Sequence, residues 1–185
     1  MITLSGLGTD SFEHTVDRAN EVFTKFHRFF PENKLQEWSL TPCNWTGTRT
    51  LTFTNHYFTQ RHEAPLTQAI QFSTEVDPAN ILTDMITAML FHADDNKVAY
   101  YERYKEDLAS VHCYIPPQTF CLGDIIDVQF CFIAYRMHTK QYVLKLMLYS
   151  ITLIEAKFAD VSKHTDVITD ADVIACTYRN TFRRN

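Results

Sequence analysis

Cysteine, histidine and carboxylate side chains could do chemistry in this chain, but their spacing assembles no reaction centre. Cys113 directly follows His112. A thiolate nucleophile needs its base within hydrogen-bond reach, whereas adjacent residues of a strand point to opposite faces. His56 and His62 can share one side of an extended segment. Zinc would still need further ligands at about 2.0–2.3 Å, and the sequence names none. Asp166, Asp170 and Asp172 lack the glycine and terminal glutamate of a calcium loop and read as a solvated turn or cap. Asp94-Asp95 reads as a turn pair. There is no nucleophile elbow and no phosphate-binding glycine loop. Gly6-Leu7-Gly8 lacks the third glycine of a dinucleotide fingerprint and shows no strand signal before it. The reading predicts no catalytic residue, no metal and no cofactor.

The remaining chemistry is stacking and local charge. Tyr100, Tyr101, Arg103 and Tyr104 form one aromatic and cationic group, and Tyr135, Arg136, Lys140, Lys145, Met147 and Tyr149 form another. Aromatic side chains give a large contact area at low entropic cost. The predicted binding set is Tyr100, Tyr101, Arg103, Tyr135, Arg136, Lys145, Met147 and Tyr149. Two functions fit it. One is a non-catalytic binding or self-assembling protein with an aromatic-rich surface, whose partner is a second copy or another protein. The other is a single-stranded nucleic-acid binder on an OB-like barrel, which needs stacking platforms beside cations. Glu102, Glu106, Asp107 and a net charge of −5 oppose the second. An enzyme ranks third.

A long β-hairpin must position most of these residues. After the turn signal Gly123-Asp124, Ile126, Val128, Phe130, Phe132 and Ala134 alternate with Asp127, Gln129, Cys131 and Tyr135. The return run Tyr142–Ile154 carries Leu144, Leu146 and Leu148 on its apolar face. Pairing Ala134 with Leu144, Phe132 with Leu146 and Phe130 with Leu148 joins the apolar rows, and a one-residue slip would break them. Gln129, Cys131 and Tyr135 then share the second face with Lys145, Met147 and Tyr149. That face is amphipathic, suited to a covering helix or to a ligand.

Upstream, Phe12, Val16, Ala19, Phe23, Phe26 and Phe30 recur at helical spacing from Ser11 to Phe30, with Asp10 and Glu13 as a capping box. Phe23 and Phe26 are core residues, or a contact surface if that face is open. Lys34 to Gly47 reads as a loop, and Arg49–Thr59 and Leu66–Phe72 read as strands. Asp77-Pro78 predicts a helix start whose buried side is Ile81, Leu82, Met85, Ile86, Met89 and Leu90. Asp94-Asp95-Asn96 is a turn, and Lys97–Tyr104 and Val111–Ile115 read as strands. Asp166–Thr177 is helix or strand. The order predicts an α+β fold over residues 1–185 as one domain: a mainly antiparallel twisted sheet, in one form an OB-like barrel, with two principal helices.

The chain has 185 residues, 45% hydrophobic, with only 4 glycines and 6 prolines, which suits an ordered domain without long linkers. Its apolar runs are interrupted before they could span a bilayer, so no membrane is expected. The N-terminus carries no secretory signal pattern, and five cysteines cannot all pair internally. An intracellular, reducing location follows, with every thiol free. Asn44-Trp45-Thr46 matches a glycosylation sequon without a secretory context.

Phe120-Cys121-Leu122-Gly123-Asp124-Ile125-Ile126 and the leucine-rich return strand resemble a large protein family of mushroom-forming basidiomycete fungi. Its pattern opens the strand with Phe-x-x-Gly-Asp-Ile-Val and closes the hairpin with a Leu-Arg-Ser-Ile-Ala-Leu run. Here that run is Leu148-Tyr149-Ser150-Ile151-Thr152-Leu153, with tyrosine in place of arginine. Asp94-Asp95-Asn96-Lys97-Val98, followed by Tyr100-Tyr101, resembles a second block of the family. The likeness covers roughly Asp77 to Ile154. It implies lineage and a cytoplasmic or nuclear location, and it brings no activity.

Overall fold

The computed structural model describes residues 1–6, 8–38, 48–106, 109–156 and 173–175. Cys43, the sequon, Cys176 and the Asp166–Asp172 group lie outside them. The strands are β1 (Ile2–Ser5), β2 (Thr50–Thr54), β3 (Thr59–Gln60), β4 (Leu90–Phe91), β5 (Ala99–Glu106), β6 (Ala109–Tyr114), β7 (Ile125–Arg136), β8 (Tyr142–Glu155) and β9 (Val173–Ala175); the helices are α1 (Asp10–His27) and α2 (Ile81–Asp84).

The β7–β8 hairpin takes the register that the apolar rows require: Ala134 opposes Leu144, Phe132 opposes Leu146 and Phe130 opposes Leu148. Beyond Leu148 the apolar residues of β8 switch from even to odd positions, Ile151 and Leu153. A bulge makes the switch possible. Gln129 opposes Ser150 while Phe130 opposes Leu148, so Tyr149 is the extra residue. An extra residue flips the facing of everything after it. Ile151 and Leu153 thereby join Leu146, Leu148, Ile126 and Val128 in one core. Val128, Leu144, Leu146 and Leu148 are buried, and Phe130 and Phe132 are half-buried.

β8 is the spine of a forked sheet. One edge pairs with β7; the other pairs in parallel with β2 through Leu146 and Met147, and with β5 through Ser150 to Leu153. Between the two partners the Leu148 carbonyl would face a gap. The Asn55 amide closes it, donating from Nδ2 at 2.9 Å. β1 and β9 extend the sheet beyond β2, and β6 extends it beyond β5. The fold is α+β as expected; its sheet is mixed, mostly antiparallel with parallel pairings of β8 and β9, and the described strands close no barrel.

Helix α1 covers the core face. Phe12, Val16 and Ala19 are buried, Phe26 meets Phe132, and Phe23 meets Trp38. The capping box does not form. Thr9 is the N-cap, no side chain bonds there, and Glu13 instead receives Arg49 Nε at 2.6 Å, with Asp17 taking Nη1 at 2.7 Å. A strand does precede Gly6, contrary to the sequence reading. The glycine itself is explained by packing, because a Cβ there would lie 2.0 Å from Phe12 Cβ.

The second helix is a single turn. Asn80, in the left-handed region at φ 56°, separates Asp77-Pro78 from it. The Asp77 carboxylate still caps a helix, accepting the Leu82 and Thr83 amides at 3.1 and 2.8 Å. Thr87 Oγ1 then accepts the Met89 and Leu90 amides, and Leu90 pairs with Gln60. The buried stripe expected there is absent: Ile81 is 66% exposed and Met89 72%. Leu66–Phe72 forms no strand, and Arg49–Thr59 is broken at Asn55, where β2 ends.

Candidate functional site

The break at Asn55 gives the molecule a small lobe, β3 paired with β4, beside the main sheet. Arg61 lies 3.7 Å over the Phe91 ring and donates to the Thr67 carbonyl at 2.9 Å, fixing the loop that brings Phe72 inward. Asn96 Oδ1 accepts from the Ala93 amide and the Thr59 hydroxyl, tying the turn after β4 to β3. These short polar contacts hold the lobe, because its strands are too short to do so alone.

Between the lobe and the start of β5 lies a cleft of about 660 Å³. Tyr57, Phe72 and His92 form the lobe wall; Tyr100, Ile115 and the Pro116-Pro117 turn form the sheet wall. Gln118 Nε2 donates to the Glu75 carbonyl at 3.2 Å and straps the two walls together. A side recess of about 220 Å³ shares Tyr57, Asn96, Val98 and Tyr100 and reaches Phe120.

Two of the polar groups lining this cleft favour their neutral forms. His92 is buried and stacked on Phe72, with centroids 3.9 Å apart and planes 23° from parallel. Its Nδ1 lies 2.8 Å from the Tyr57 carbonyl, which can only accept, so Nδ1 carries the proton and Nε2 keeps a lone pair. Burial holds the imidazole below its ordinary pKa, against the pull of that hydrogen bond. Tyr100 is pushed up to about 12, mainly by burial, so its phenol stays a donor. Lys97 and Glu75, both exposed, supply charge around the cleft. The arrangement offers stacking surfaces, a neutral donor and a neutral acceptor.

The sequence-predicted set is divided by the fold. Tyr100 lines the cleft, while its neighbour Tyr101 points to the other side of the sheet, where its hydroxyl donates to Tyr114 Oη at 3.1 Å. Arg103 shares that side and opposes His112. Tyr135, Lys145, Met147 and Tyr149 lie on the second face of the hairpin. There the Lys145 ammonium sits 5.4 Å from the Tyr135 ring, and the Cys131 thiol donates to Tyr149 Oη at 3.5 Å. Arg136 ends β7 and is exposed. From the Thr152 level, where Tyr101 sits, to Lys145 is roughly 23 Å along the strand. The eight residues therefore form no single site. α1 covers the opposite, core face of the hairpin.

Sequence reasoning missed Tyr57 and Phe72, which come from segments read as continuous strands, and His92, which lies between the second helix and the Asp94 turn. A helix-and-strand reading hides a ring cluster built from loops. Among the described residues no group of three histidine, cysteine or carboxylate side chains could hold a metal, and no helix is long and apolar enough to cross a membrane. Cys113, Cys121 and Cys131 are free thiols. No known family, curated protein or solved structure matches the chain.

Proposed function

We propose that this chain is a binding protein whose cleft takes a planar, largely apolar small molecule carrying at least one hydrogen-bonding group. The observation that carries the reading is the pairing of opposed aromatic walls, Tyr57, Phe72 and His92 against Tyr100, across a space of drug-like volume. The His92 lone pair and the Tyr100 hydroxyl would orient the ligand, and neither needs to be charged. This keeps the aromatic binding role expected from sequence and moves it from the hairpin to the lobe. The single-stranded nucleic-acid reading has less support, because Arg103 on β5 lies far along the sheet from Arg136, Lys140 and Lys145 at the turn end of the hairpin. The likeness to the basidiomycete family belongs to this reading as lineage only.

The test is fluorescence titration with anilinonaphthalene sulfonate, an aromatic probe with a flat naphthalene ring and an N–H donor. Saturable binding to one site is expected, weakened about tenfold by Tyr100→Ala or Phe72→Ala through loss of a stacking wall. Tyr135→Ala and Tyr149→Ala should leave it unchanged. Undiminished binding in Tyr100→Ala would contradict the proposal.

A further inference from the structure

We propose that β6 is the seam of a two-fold dimer, pairing antiparallel with β6 of a second copy of this chain so that the sheet runs through both. Among the described residues β6 has β5 on one side and no strand on the other. Natural edge strands are normally blunted by charge, proline or a bulge. This one has none of these. Its register with β5 is unbroken from Glu106–Ala109 to Tyr101–Tyr114, and the sequence contains no Asp, Glu, Lys or Arg from Leu108 to Gly123. Val111, His112, Cys113 and Tyr114 are all exposed, Tyr114 by 78%.

The hydrogen-bond phase of the strand limits the registers a second copy can take. Ile115 N–H donates to the Tyr100 carbonyl at 3.1 Å, so Tyr100 and Ile115 form a hydrogen-bonded pair. Alternation along an antiparallel ladder then directs the amides of Val111 and Cys113 inward to β5, and those of Ser110, His112 and Tyr114 outward. The close approach of the Tyr101 and Tyr114 rings, 4.6 Å between centroids, fits their placement as a non-hydrogen-bonded pair. The outward set is symmetric about His112. A two-fold axis at His112 pairs it with itself and pairs Ser110 with Tyr114 of the other copy, and every outward amide and carbonyl finds its mate. The largest exposed side chain of the strand then lies over one of the smallest. An axis at Val111 would keep the phase but pair only Ser110 with His112, setting Tyr114 opposite position 108 beyond the end of β6. A second copy therefore matches this edge in phase, size and lack of repelling charge.

The register fixes the experiment. In it, Val111 opposes Cys113 of the second copy as a non-hydrogen-bonded pair, with Cα atoms about 4.5 Å apart, inside disulfide range. Positions 111 and 113 of one strand point the same way but lie about 7 Å apart, too far to bridge within a monomer. Wild-type full-length chain should approach twice the monomer mass in sedimentation across a concentration series. Val111→Cys, mildly oxidised, should give a covalent dimer whose peptide map joins position 111 to Cys113. His112→Glu gains Arg103 as a cross-strand partner within the monomer but sets two carboxylates face to face across the axis. It should raise the dimer dissociation constant at least tenfold with an unchanged far-ultraviolet spectrum. If that variant fails to fold, the disulfide map decides. A monomeric wild type at every concentration, a dimer indifferent to His112→Glu, or a disulfide mapped elsewhere would overturn the proposal. None of these readouts involves the cleft ligand, so the two proposals fail separately.

Discussion

His92 and Tyr100 carry the electrostatic argument, and each has a pH signature. Burial lowers the His92 pKa below 6.5. As pH falls through 6.5 the unfolded chain takes up the proton first, so stability should decline from there and level off below the folded value. Urea unfolding at stepped pH measures this slope, and His92→Phe, which keeps a ring on Phe72, should flatten it. Tyr100 shifts the other way. The unfolded phenol ionises near 10 and the native one near 12, so its contribution to stability is lost as pH rises through that window. In a spectrophotometric titration of native protein, Tyr100→Phe should remove a late-titrating phenol. Neither residue's role follows from its neighbours in sequence: Phe72 reaches His92 only through the loop that Arg61 holds.

At the scale of elements, the hairpin bears most of the stability. Leu146→Ala should cost about 2–5 kcal/mol, read by chemical denaturation, because Leu146 is buried where α1, β2, β7 and β8 meet. Asn55→Ala should cost about 1–3 kcal/mol by leaving the Leu148 carbonyl unmatched in the fork. Met89→Ser should stay within about 0.5 kcal/mol, since the side chain is solvated. These contrasts follow what could be read from sequence. Strict alternation fixed the hairpin register, because burial penalises a slip at every residue. The spacing from Phe12 to Phe30 marked α1 for the same reason. The Ile81–Leu90 stripe misled, since helical spacing does not by itself imply burial; Asn80 and the Thr87 turn confine the helix to one turn. The mixed pairing was not legible, because parallel contacts of β8 with β2 and β5 join segments distant in sequence whose own patterns match either direction.

For the whole molecule, the division of labour is a main sheet stabilised by its core and a small lobe held by a few polar and ring contacts. The cleft lies where they meet, as ligand sites often do between separately built units. Rings from Tyr57 and Phe72 approach Tyr100 only in the folded whole, so the binding set could not be assembled from any one segment. The central claim is that this cleft, and not the aromatic face of the hairpin, is the ligand site. Nuclear magnetic resonance mapping with anilinonaphthalene sulfonate tests it most directly. The account predicts saturating shifts at Tyr57, Phe72, His92 and Tyr100, with Tyr135, Lys145 and Tyr149 unmoved. Saturating shifts confined to Tyr135, Lys145 and Tyr149 would contradict it.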